Sequence, residues 1–136
     1  MALGLTKLSN VVVDSAQNVL PAAVISWSSA DGTPINAGAT EWIPVVNLQA
    51  SATFHASATK DVVIHARKST DNGITNNTPN VATYLFTIPI TAGATVIKDA
   101  SVYDFDYLDI GAENLDGTYN AVVSIKYDGY KITGMA

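Results

Sequence analysis

"WIPVVNLQASATFHASA", residues 42–58, decides the fold. Its even positions, Trp42, Pro44, Val46, Leu48, Ala50, Ala52, Phe54, Ala56 and Ala58, are apolar. From Asn47 onward the odd positions, Asn47, Gln49, Ser51, Thr53, His55 and Ser57, are polar. A strand sends successive side chains to opposite faces, so this run has one dry face and one wet face. It is longer than the usual strand of about 5–6 residues. Two strands are therefore expected, with a bend near Gln49 to Ser51.

The same period spreads outward along the chain. In "DVVIHARKS", Val62, Ile64 and Ala66 share one face, while Val63, His65 and Arg67 share the other. "ATYLFTIPI" is a further strand, with Pro89 marking an end or an edge. "TAGATVIKD" opens at a turn, Ala92-Gly93, and "YLDIGAEN" puts Leu108, Ile110 and Ala112 together. Asp116-Gly117 reads as a hairpin turn. After it, Tyr119, Ala121, Val123, Ile125 and Tyr127 alternate with Asn120, Val122, Ser124 and Lys126. Asp128-Gly129 reads as a turn into "YKITGM". Shorter strands are expected at "NVVVD" and "AAVISWSS", with Asp31-Gly32 and Ala37-Gly38 as loop punctuation. No window repeats apolar residues at helical spacing. Seven to nine short strands with regular turns predict an all-β fold, a single antiparallel β-sandwich of jelly-roll or immunoglobulin-like order. Residues 1–10 are expected to form an extended arm and residues 11–136 the sandwich.

Composition narrows the function. The chain has 136 residues, 14% charged, with a formal net charge of −5. Seven scattered basic residues make no counterion-displacing patch, so neither nucleic acid nor an anionic membrane is an expected partner. With no cysteine there is no disulfide, thiolate metal site or thiol nucleophile. The start "MALGLTKLSN" has no signal-peptide shape. A weakly charged surface lies against other protein at little desolvation cost.

Candidate sites follow from the loops and the acids. "HARKSTDNGITNNTPN", residues 65–80, carries the only arginine and ends a strand in a long polar connection. Loops on a rigid sandwich commonly carry recognition. His65, Arg67, Asn72 and Asn76 are the contact candidates there. Leu3, Leu5, Leu8, Val11 and Val13 are the candidates at the arm, where an exposed edge can accept another strand. Trp42 and Tyr130, near strand ends, are the candidates for a sugar-stacking surface. Asp104, Asp106 and Asp109 could supply part of a calcium site, although the Asp-x-Asn-x-Asp-Gly loop is missing. No nucleophile elbow, phosphate loop or zinc spacing occurs. No enzyme and no cofactor are expected.

"VVIHARKSTDNG" and "YLFTIPITAGATVIKDASVYDFDYLDIGAENLDGTYNAVVSIKYDGY" together resemble the small β-sandwich accessory proteins of tailed-phage virions. The shared outline is a strand ending in Arg-x-Ser-x-Asp-x-Gly, a long loop, and a final hairpin shaped like "YLDIGAENLDGTYNAVVSIKY". Carbohydrate-binding sandwiches have similar outlines. The resemblance implies a non-enzymatic virion protein, most of all a capsid decoration (cement) protein bound to the major capsid protein lattice and assembled in the host cytoplasm. It implies a homo-oligomer, with a trimer favoured. A carbohydrate- or receptor-binding module of a tail fibre or cell surface is the alternative, and a filament subunit the next.

Overall fold

The computed structural model describes residues 4–19, 25–28, 35–36, 41–69, 83–103, 105 and 107–133. Its elements are ten strands: β1 (Gly4–Val19), β2 (Ser26–Trp27), β3 (Ile35–Asn36), β4 (Glu41–Trp42), β5 (Val45–Phe54), β6 (Val62–Ser69), β7 (Thr83–Ile88), β8 (Thr95–Tyr103), β9 (Tyr107–Asn114) and β10 (Ala121–Thr133). They form two antiparallel sheets. The first runs β1-β10-β5-β8, with β4 also on β10; the second runs β2-β9-β6-β7, with β3 also on β9.

Setting aside the two-residue β3 and β4, the pairing is nested. The first long strand pairs with the last, β1 with β10, and β2 pairs with β9. Inside these, β5 pairs with β8 and β6 with β7. This is one long antiparallel ribbon rolled into two sheets, the strand order of a jelly roll. Of the two orders left open by the sequence, the nesting selects this one.

The alternation works as read. Val46, Leu48, Ala50, Ala52 and Phe54 of β5, with Ala121, Val123 and Ile125 of β10, are buried from the first sheet. Val62, Ile64 and Ala66 of β6, with Leu108, Ile110 and Ala112 of β9, are buried from the second. Each fully buried Leu, Ile or Val contributes about 1.5–3 kcal/mol. Tyr119 and Tyr127 pack at the margin of this core.

Four expectations need correction. β5 runs straight through Gln49 to Ser51, and the break falls at Ile43-Pro44 between β4 and β5. Proline has no N–H to give the ladder, whereas polar side chains on an outer face bend nothing. Next, β10 does not turn at Asp128-Gly129 but continues to Thr133. Gly129 is there for close approach: a Cβ would stand 2.9 Å from the Val45 carbonyl oxygen. Third, Gly4 to Asn10 are not an arm. They are the outer half of β1, with Gly4 opposite Thr133 and Lys7 opposite Tyr130. The long β10 offers them a partner within the chain, so no boundary falls at residue 10. Finally, Asp116-Gly117 carries the chain from the second sheet to the first instead of closing a hairpin, because β9 and β10 lie in different sheets.

β1 holds its place through three β-bulges, between Leu8 and Val11, Val12 and Asp14, and Asp14 and Gln17. Each inserts one extra residue against β10. Asn10 and Ala16 adopt left-handed backbone there, at φ 51° and 50°. At two of the bulges an N–H turned away from the ladder is taken up by a side chain of β10. Asn10 N donates to Asp128 Oδ1 at 2.6 Å, and Ala16 N donates to Ser124 Oγ at 2.9 Å.

Candidate functional site

The two outer faces of the sandwich differ in kind. On the second sheet, His65 and Arg67 of β6 stand opposite Gly111 and Asp109 of β9, and Trp27 of β2 stands opposite Gly111 from the other side. Arg67 Nε and Nη2 donate to Asp109 Oδ2 at 3.1 and 2.8 Å. Its guanidinium carbon lies 4.0 Å from the centre of the Trp27 ring. Ser28 Oγ donates to Asp109 Oδ1 at 2.6 Å and accepts from Ile110 N at 3.0 Å. Asp109 is fully buried, although its strand phase faces outward. Trp27 covers this face because residue 111 is glycine: a Cβ there would clash with Ile25 and come within 2.8 Å of the indole. His65 Nε2 and Glu113 Oε1 pair at 3.0 Å. The arginine is therefore locked into a roof over the sheet, and its charge is met inside the chain.

The first sheet is open. Register places its outward residues in rows across β8, β5 and β10: Ile97, Ser51 and Ser124; then Asp99, Gln49 and Lys126; then Ser101, Asn47 and Asp128. Val12 of β1 extends the second row. At the end of the face come Tyr103 and Val45, directly opposite each other, with Tyr130 of β10 beside them and Lys7 beyond. The middle of this face is mostly amide, hydroxyl, carboxylate and ammonium; its end is apolar and aromatic. Two depressions of about 250 and 200 Å³ lie in the middle and share Gln49 and Lys126. Tyr127 borders the second, and burial pushes its phenol pKa up from the ordinary 10.0.

The residues singled out from the sequence are scattered over this architecture. Leu5 is exposed on β1, and Leu8 packs against the core. Val11 is half-buried. Val13 is not available to a partner: it is 2% exposed and belongs to the chain's own core, because the bulges shift the phase of β1. His65 and Arg67 share a face with each other but not with the β1 leucines. Leu3, Asn72, Asn76, Asp104 and Asp106 lie outside the described residues, as do the loop signals Asp31-Gly32 and Ala37-Gly38. Trp42 is in β4, opposite Ile132, and Tyr130 is exposed on the first-sheet face. Asp109 is committed to Arg67 and Ser28. Among the described residues, no group of three or more His, Cys, Asp or Glu is placed to hold a metal ion. The sequence reading missed Tyr103, Val45, Gln49 and Lys126. Gln49 and Lys126 fall on the polar phase of their strands, but only the register brings all four to one face.

Neither a protein-family model nor a curated protein matches the chain.

Proposed function

We propose that the chain is a non-enzymatic structural protein of a phage virion, a capsid decoration protein that docks on the major capsid protein lattice through the apolar, aromatic end of the outer face of its first sheet. The observation that carries this is the distribution of exposed apolar side chains. Leu5, Val12, Val45, Ile97, Tyr103, Val122 and Tyr130 all belong to first-sheet strands. Only Tyr84 and Leu115 lie elsewhere among the large exposed hydrophobics of the described residues. The attachment centre is the row of Tyr103, Val45 and Tyr130, with the tyrosines 66% and 46% exposed. Tyrosine is enriched at protein interfaces, and one end of its ring tolerates water.

Low charge supports the same reading, since little ion desolvation opposes docking. A homo-oligomer, trimeric in this proposal, multiplies weak contacts into firm attachment. The test is occupancy on particles of the encoding virus. Val45→Asp combined with Tyr103→Asp is expected to leave the fold intact and empty the particle of this protein. Full occupancy by that variant would remove the proposal.

A further inference from the structure

The two depressions of the first sheet form one groove over β10, joined at Gln49 and Lys126. Its shape has a cause in the rows. The small side chains of Ser51 and Ser124 lie between Ile97 on one edge strand and the bulged β1 on the other. The bulges raise Val12 and Ser15 as a wall, and Ile97 forms the facing one.

Three of the groove's polar side chains, Asn47, Gln49 and Lys126, are uncommitted. Among the described residues, no internal hydrogen bond or ion pair engages the amides of Asn47 and Gln49 or the ammonium of Lys126. Amides both donate and accept, carboxylates accept and ammonium donates. A hydroxyl-rich ligand uses all three, because every hydroxyl gives one hydrogen bond and takes others. The charge balance removes the anionic alternatives. Lys126 shares the lining with Asp128, so phosphate, sulfate or uronate gains no net attraction. The walls add an apolar contribution: Val12 and Ile97 are 56% and 57% exposed, suited to the C–H faces of a sugar ring.

We propose that this groove is a binding site for a neutral oligosaccharide, its hydroxyls held by Asn47, Gln49 and Lys126 and its C–H faces by Val12 and Ile97. The groove shares this face, and its walls Val12 and Ile97, with the apolar set above. Attachment is proposed at the Tyr103, Val45 and Tyr130 end, so Val45→Asp/Tyr103→Asp should leave oligosaccharide binding unchanged and the two proposals fail separately. Without an aromatic floor each site binds weakly. Presentation in many copies raises the avidity.

The test uses the full chain on an array of neutral hexose, N-acetylhexosamine and acidic oligosaccharides, followed by titration of the strongest neutral hit. Retention of neutral oligosaccharides is expected, nearly unchanged on raising the salt to about 0.5 M. Asn47→Ala and Gln49→Ala should each weaken binding about three- to tenfold, and Ile97→Asp should abolish it, with melting temperatures unchanged. Three results overturn the proposal: no neutral oligosaccharide retained, retention confined to acidic ones, or binding that survives the Asn47→Ala/Gln49→Ala double change.

Discussion

Asp116 holds two loops with one carboxylate. Oδ1 accepts from Thr118 N and Tyr119 N at 2.8 and 3.0 Å, and Oδ2 accepts from Thr59 N at 2.9 Å. These bonds, Thr59 first, pull its pKa from the ordinary 3.8 to about 2. The stabilisation is therefore complete above about pH 4 and fades as pH falls through 2. Asp116→Ala is expected to melt lower than the parent at neutral pH, with the gap closing between about pH 4 and pH 2. A gap unchanged over that range, followed by calorimetry, would contradict the assignment. Arg67 is a second case. Removing it strands the buried Asp109, and Arg67→Ala should cost about 3 kcal/mol in urea unfolding. A loss under about 1 kcal/mol would mean that the pair behaves as a surface salt bridge. The sequence could mark Arg67 as unusual but not name its partners. Trp27 and Asp109 reach it only through β9, tens of residues away in the chain.

At the scale of the element, β1 and β10 are where local patterning and structure part company. Asp-Gly is a turn pair when nothing else claims it. Here Asp128 is claimed by the Asn10 bulge and Gly129 by the Val45 carbonyl, so β10 continues. Leu5 and Leu8 fall on opposite faces of a regular ladder, Leu5 outward and Leu8 against the core, and the first bulge comes only after Leu8. Such a mixed pattern reads as an arm. Bulges are invisible to a period-two reading, since each resets the phase. Two outcomes follow. Ala16→Gly relieves left-handed backbone at φ 50° and should stabilise the fold by about 0.5–1 kcal/mol in urea. A destabilising effect would remove the bulge. Deleting residues 2–10 strips the partners of Gly129 to Thr133 from the first sheet and should lower the melting temperature by several degrees. An unchanged melting temperature would restore the arm.

For the whole molecule, alternation was enough to give two layers, their core residues and the β class. It could not give the nesting of β1 with β10 and β5 with β8, which depends on pairings between the two halves of the chain. The candidate face has the same origin. Tyr130 stands out in sequence as an aromatic near a strand end, but Val45 and Tyr103 join it in a row only when β5, β8 and β10 come side by side. The second sheet is roofed by Trp27 and Arg67, which leaves the first sheet as the face proposed to meet a partner. The most direct measurement compares occupancy on particles for two variants of equal burden. Val45→Asp/Tyr103→Asp places charge on the first sheet, and Tyr84→Asp/Leu115→Asp places it elsewhere. Loss of the first variant from particles with retention of the second is expected. Retention of the first, or loss of the second alone, would contradict a first-sheet docking face.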